Sequence, residues 1–530
     1  MPEPARWWES GVVYQIYPRS FMDSDGDGVG DLPGITSKLE YLRWLGIDAV
    51  WISPFYPSPM ADFGYDVSDY TDVHPMFGTL EDFDALVEEA HRLDLKVILD
   101  YVPNHTSEEH PWFVESREER DNPKRDWFIW RDPKPDGGPP NNWVASFGGG
   151  AWEWDEGTSQ YYYHAYLPEQ PDLNWRNPEV RGTMLEVLRF WLDRGVDGFR
   201  IDALRQIIKD DSFRHNPPNP DFREGGSPYD ALLPVYSTDR PEAHAAIREM
   251  RGALAEYGED RLLIGELYLP IERLVAYYGE DNSGVHLPFN FHLISTPWKA
   301  REIARLIETY ETALPEGGWP TWVLGNHDRS RIASRIGAAQ ARVAAMLLLT
   351  LRGTPTLYYG DEIGLRDVEI PPELVQDPWE RNVPGIGLGR DPERTPMQWG
   401  TSPNAGFTTG DPWLPLAGDH ETNNVEVQRG DPRSMLTLHR RLLDLRRSEP
   451  ALAVGSYVPV EAEGDVLAYR REHEGKRFLV ALNFGPEPQR PRLDDAGCVA
   501  LSTHLDREDE ETGGSLELRG NEGVLLALPQ

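Results

Sequence analysis

One unit recurs up to residue 360: apolar positions at helical spacing, a glycine or short polar turn, then an unbroken apolar run. Ile35, Leu39, Leu42 and Leu45 share one helical face, Gly46 stops that helix, and DAVWISPF (48–55) reads as a buried strand. Leu80, Phe83, Leu86, Val87, Ala90 and Leu93 repeat the face behind Thr79, a residue suited to an N-cap, and LKVILDYV (95–102) follows. Met184, Val187, Leu188, Trp191 and Leu192 form a third helix that ends at Gly195, before VDGFRID (196–202). A fourth runs through Ala246, Met250 and Leu254 into LLIGELY (262–268). Later strands are TWVLGNHD (321–328) and, after an apolar helix around 339–351, PTLYYG (355–360). With VVYQIYP (12–18) and HLPFNF (286–291) the strands number eight. Strands that are apolar throughout, each preceded by a helix, predict a parallel sheet covered by helices. Eight such units close into an α/β fold of the (β/α)8 TIM-barrel kind. A doubly wound open sheet is the alternative, but no GxGxxG follows the first strand, and polar residues end many strands instead of bordering one crevice.

Two stretches break the rhythm. Residues 104–173 are rich in Pro, Gly, Asn and Trp and read as a subdomain inserted after the third strand. Residues 361–415 form a similar loop-rich insertion after the eighth strand. The barrel therefore takes residues 1–103 and 174–454. From 455 to 530 the pattern changes to short alternating strands (SYVPVEA, DVLAYRRE, RFLVALNF, GVLLALP), which predict a C-terminal antiparallel β-sandwich domain.

The net charge of −37 argues against nucleic acid or an anionic membrane as partner and favours a neutral or cationic ligand. The 18 Trp and 22 Tyr supply flat faces suited to sugar rings. Cys498 is the only cysteine, which excludes an intrachain disulfide, thiol-pair catalysis and a cysteine metal cluster. No run approaches a membrane span, and the N-terminus lacks a basic start followed by an apolar core. A cytoplasmic protein, monomeric or dimeric, is expected.

The strand ends carry the chemistry. The third ends in Asp100, with Asn104 and His105 just after; the fourth in Arg200 and Asp202; the fifth in Glu266; the seventh in Asn326, His327 and Asp328. Barrel sites lie at the C-terminal strand ends, so Asp202, Glu266 and Asp328 should converge. Any one alone could cap a helix; four polar strand ends in this pattern are harder to explain that way. Metal-assisted hydrolysis would call for clustered His or Cys, such as HExxH, and none is present. Glycoside cleavage needs one ionised carboxylate as nucleophile and one protonated carboxyl as acid, about 5–5.5 Å apart for retention. Arg200, on the same side of its strand as Asp202, should hold Asp202 ionised, while the apolar run before Glu266 should keep Glu266 protonated.

The motifs DYVPNH (100–105), GFRIDALRQ (198–206), GELY (265–268) and GNHD (325–328), in this order, resemble glycoside hydrolase family 13, the α-amylase family, and within it the α-glucosidase and oligo-1,6-glucosidase-like branch. The resemblance implies that Asp202 is the nucleophile, Glu266 the acid/base and Asp328 the transition-state stabiliser. It implies that Arg200, His105 and His327 support the sugar. ADFGYD (61–66) resembles the pocket-end segment, so Asp62 and Tyr65 would hold the non-reducing glucose. RTPMQW (394–399) is typical of the branch, and Arg394 would close the pocket beside Asp62.

DSDGDGVGDLPG (23–34) has the spacing of a calcium loop, but an EF-hand needs a glutamate at position twelve, where Gly34 stands, and no helix precedes it. By resemblance it would bind one structural Ca2+ or Mg2+ through Asp23, Asp25, Asp27, the Val29 carbonyl and Asp31; a metal-free Asx-turn loop is the competing reading. No organic cofactor is expected. Ala203, the small residue after the nucleophile, by resemblance goes with α-1,4 preference, hence maltose and maltooligosaccharides, with sucrose a further substrate. A glucosyltransferase or sucrose- or maltose-isomerising enzyme is the rival on the same fold. A non-catalytic barrel protein is the rival of another class.

Overall fold

Eight parallel strands build the central sheet: β1 (Val13–Ile16), β2 (Ala49–Ile52), β3 (Lys96–Tyr101), β4 (Gly198–Ile201), β5 (Leu262–Leu267), β6 (Leu287–Asn290), β7 (Thr321–Val323) and β8 (Thr354–Tyr358). This computed structural model describes residues 5–223, 225–492, 495–513 and 515–529. The hydrogen-bonded order is β7-β8-β1-β2-β3-β4-β5-β6, with β6 lying against β7 to close the barrel. Alternation along each strand sorts the side chains. Val13, Trp51, Ile98, Leu262, Ile264 and Phe289 face inward and pack on one another, while Tyr14, Val50, Val97, Phe199 and Leu263 face the helices. Every residue of β1, β2, β4, β5, β6, β7 and β8 is buried, which is why their sequences read as continuous apolar runs.

The helices follow the periodicity with two differences. Thr79 and Asp82 form a reciprocal capping box at the start of helix Leu80–Arg92. The single helix expected over Ile35–Leu45 is two, Leu32–Thr36 and Leu39–Leu45, because the Thr36 and Ser37 hydroxyls donate back to the Leu32 and Gly34 carbonyls and turn the chain. Helix Ala300–Ala313, between β6 and β7, has no counterpart in the pattern reading.

Residues 104–173 hold a helix, Pro111–Glu118, and a three-stranded antiparallel sheet from Trp130–Arg131, Trp152–Asp155 and Gln160–Tyr163. Beyond the barrel, six antiparallel strands between Ser456 and Ala527 form one sheet, not two. One face (Leu467, Tyr469, Val480, Leu525) packs on the barrel, and the Tyr469 hydroxyl meets Thr350 at 2.6 Å. The other face (Val466, Ala468, Leu479, Leu526) is covered by Leu516 and Leu518, in a segment that pairs through Gln489–Leu518 and Arg492–Ser515. Among the described residues no helix is long and apolar enough to cross a membrane.

Candidate active site

Register decides what meets at the mouth of the barrel. Asp100 on β3 and Arg200 on β4 are partners across the ladder, and Arg200 pairs in turn with Ile264 on β5. Two residues further along, on the same faces, come Asp202 and Glu266. The inner layer thus places Arg200 below two carboxylates from neighbouring strands. Arg200 Nη1 donates to Asp100 Oδ1 at 2.6 Å and to Asp202 Oδ1 at 2.8 Å, and its Nη2 lies 2.8 Å from Glu266 Oε1. One guanidinium thus lies between the carboxylates of Asp202 and Glu266. Gly198, two residues before Arg200, makes room for this layer: a Cβ there would meet the Leu262 carbonyl oxygen at 2.5 Å.

The chain leaves β4 through an unusual turn. Ala203 has φ 50° and ψ 31°, the left-handed region, and its amide donates to Glu266 Oε2 at 2.8 Å. Oε2 of Glu266 therefore accepts here, while Oε1 lies within ion-pair distance of Arg200. Burial raises Asp202 above the usual carboxylate range, and the Arg200 guanidinium beside it is the main charge pulling it back down. Burial likewise pushes Asp100 up to about 6 against Arg200. Asp328 goes the other way. Burial would raise it, but the permanent charges of Arg390 and Arg394 beside it help to hold it well below the carboxylate range.

His327 is fixed from both sides. The Gln15 amide nitrogen faces Nδ1 at 2.7 Å, Tyr65 Oη lies 2.8 Å from Nε2, and the Tyr65 ring stacks on the imidazole at 5.4 Å and 1°. The Tyr65 hydroxyl also donates to Asp100 Oδ2 at 3.0 Å. Burial lowers His327 well below the usual imidazole value and lowers His105 to about 4, so both rings are neutral. His105 Nε2 lies 3.0 Å from the Tyr65 carbonyl and 3.1 Å from Gln170 Nε2, which reaches Asp62 Oδ2 at 3.2 Å.

The far end of the pocket is closed by a different arginine from the one expected. Arg390 Nη2 donates to Asp62 Oδ1 at 2.6 Å and to Asp377 Oδ1 at 2.6 Å, and Nη1 to Asp328 Oδ1 at 3.3 Å. Arg394 lies below, past the short turn Asp391–Glu393, where it donates to the His327 carbonyl at 2.6 Å and to Asp328 Oδ1 at 2.8 Å. Sequence reading missed Arg390, Asp377, Gln170 and Gln15. Asp62, Tyr65, His105, Asp202, Glu266, His327, Asp328 and Arg390 line one cavity of about 510 Å³. A neighbouring cavity of about 840 Å³ shares Tyr268, Asp328, Arg329 and Leu388 with it.

In the 23–34 loop, carboxylate oxygens of Asp23, Asp25 and Asp27 lie within 4.8 Å of one another, a set that fits a hard cation. Asp31, expected among the ligands, is instead engaged as a cap: Oδ1 accepts from the Gly34 amide at 2.6 Å and Oδ2 from the Ser24 amide at 2.9 Å. Burial raises Asp31, whereas at Asp23 burial is outweighed by hydrogen bonds from Thr408 and the Gly26, Gly28 and Asp25 amides, which hold it low.

The alpha amylase catalytic-domain family model matches residues 15–455. The chain belongs to the alpha-amylase family. As a member it is a glycoside hydrolase, of the α-glucosidase branch. Its similar relatives include a probable alpha-glucosidase of Rhizobium meliloti (strain 1021), 45% identical over 95% of this chain and 94% of that one. Maltase A1 of Drosophila melanogaster is 42% identical over 90% and 87%. Among solved structures, an alpha-glucosyl transfer enzyme, XgtA, superposes with a TM-score of 0.93 at 43% identity, covering 99% of this chain and 100% of that one.

Proposed function

We propose that the protein is a retaining, exo-acting α-glucosidase that removes single glucose units from the non-reducing ends of short α-glucosides, α-1,4-linked ones first. The observation that carries this is a closed pocket: Asp62 and Arg390 seal one end, and the two bridged carboxylates stand at the other. A sealed end admits a chain terminus and excludes a chain middle. In the first step Asp202 attacks the anomeric carbon, the bond to the aglycone oxygen breaks, and Glu266 gives that oxygen its proton. In the second Glu266 takes a proton from water, water attacks the anomeric carbon, and Asp202 leaves. Asp328, ionised and held by two arginines, faces the positive charge that develops on the ring. His105, His327 and Tyr65 hold the sugar ring.

Proton NMR of maltose hydrolysis tests this. Glucose released first as the α-anomer is expected; β-glucose first, or attack within longer chains, overturns the reading. A panel of maltose, isomaltose, sucrose and trehalose reads the linkage preference. Transglucosylation is the second reading, supported by the similarity to XgtA and by the 840 Å³ cavity beside the site, which has room for an acceptor.

Asp23, Asp25 and Asp27 would hold a structural Ca2+ or Mg2+, whose charge relieves the repulsion of three adjacent carboxylates. Chelator is expected to lower the melting temperature of the wild type by several degrees, and to do so far less in Asp25→Ala; no shift in the wild type counts against the ion. A cytoplasmic location fits the single cysteine.

A further inference from the structure

The catalytic cavity carries three arginines, and they are not in the same electrostatic situation. Arg390 is neutralised by Asp62, Asp377 and Asp328. Arg205 and Arg329 are not: among the described residues, neither guanidinium is within ion-pair distance of a carboxylate. The acids nearby are already matched. Asp202 and Glu266 share Arg200, and Asp328 has Arg390 and Arg394. Across the adjoining cavity, Asp391 accepts from the Gln376 and Asp377 amides and Asp367 from the Arg331 amide. Glu393, whose carboxyl burial raises, is not within ion-pair distance of either guanidinium.

Both of these guanidiniums are mounted on one residue, Tyr268, two positions past Glu266. Arg205 Nη1 donates to the Tyr268 carbonyl at 2.7 Å. The Arg329 guanidinium lies 5.3 Å from the Tyr268 ring centroid, and that ring is stacked on Phe291 at 4.3 Å and 8°. Arg205 is also planted by its own backbone, whose carbonyl accepts from the Asp239 amide at 2.6 Å. Glucose in the sealed pocket projects its glycosidic oxygen toward Glu266, so whatever is attached to that oxygen reaches the Tyr268 wall. In a chain of net charge −37, two half-buried guanidiniums on that wall with no ion-pair partner among the described residues mark a place where a ligand supplies the anion.

We infer that Arg205 and Arg329 form an anion-recognising aglycone subsite. The favoured glucosides, or glucosyl acceptors, carry a carboxylate or phosphate on the part bound beyond Glu266. This deepens the glucosidase reading above and rests on it. It also departs from what the net charge of the chain suggests.

The test compares three aryl α-D-glucosides of similar leaving group: 4-(carboxymethyl)phenyl, 4-(phosphonomethyl)phenyl and the neutral 4-(carbamoylmethyl)phenyl. The wild type is expected to show kcat/KM for at least one anionic substrate about tenfold or more above the neutral one at low salt, since a charge-assisted hydrogen bond is worth about 1.5–3 kcal/mol. The larger ratio identifies the anion. The preference is expected to shrink with added NaCl and to fall toward one in Arg329→Gln and in Arg205→Gln. If the guanidiniums only brace Tyr268, the variants will slow all three substrates alike, and the wild-type ratios will sit near one. Wild-type ratios near or below one, or ratios unchanged in both variants, overturn the inference. Failure to cleave even the neutral amide overturns the glucosidase reading instead, and the subsite with it.

Discussion

Asp202→Asn is expected to lose maltose turnover by ~10⁴-fold or more and to melt no lower than the wild type. The amide cannot form the glycosyl ester, so the first displacement has no nucleophile. Stability should hold for an electrostatic reason. Asp202 is one of three acids around a single guanidinium, and burial already opposes its charge. Removing that charge relieves crowding, while Arg200 keeps Asp100 and Glu266 as partners. Initial rates on maltose together with a thermal melt check both halves. A variant retaining a tenth of the wild-type rate would remove Asp202 from its role, whatever its melting temperature.

Arg390→Ala is expected to do the opposite to stability. Arg390 is only 4% exposed and holds Asp62 and Asp377, both buried. Deleting one partner of a buried ion pair costs about 3–5 kcal/mol, because the remaining carboxylates are left without a counter-charge. The melting temperature should therefore fall sharply. Activity should fall as well, by ~10²-fold or more in kcat/KM on maltose, because the pocket end and one of the two arginines on Asp328 are lost together. The ratio of maltose to maltoheptaose cleavage reports the seal separately from stability. If that ratio and the melting temperature both stay at wild-type values, Arg390 does not close the pocket. Arg390→Lys should recover part of the stability but not the two-carboxylate grip, since an ammonium lacks the planar fork.

Much of this site was legible in the sequence because its signals are local. A polar residue at the end of an apolar strand stands out, and Asp100, Arg200, Asp202, Glu266 and Asp328 all announced themselves that way. The barrel was legible for the same reason: helical period, punctuation and apolar strand recur unit after unit. What escaped depends on contacts across the chain. Arg390 and Arg394 are four residues apart in one loop, and only the turn at Asp391–Glu393 decides which of them meets Asp62, 328 positions away. The division of Arg200 among three acids follows from the register of β3, β4 and β5, which no single strand encodes. Asp31 was expected as a ligand by resemblance, yet helix Leu32–Thr36 starts immediately after it and takes one of its oxygens as a cap, while Ser24 takes the other. The expected sandwich became one sheet because the barrel covers one of its faces. Helix Ala300–Ala313 was open to reading, with Ile303, Leu306, Ile307 and Tyr310 on one face.

The guanidinium of Arg200 also has a bearing on how this chain stays correctly assembled. A slip of one position of β4 against β3 and β5 would rotate Arg200 and Asp202 together out among the helices, leave Asp100 and Glu266 in the interior without their counter-charge and silence the enzyme at once. Misaligned molecules are thus both unstable and inert. Any lineage kept for its chemistry is, by that fact, kept in alignment, and a residue that looks devoted to catalysis doubles as the proofreader of three neighbouring strands.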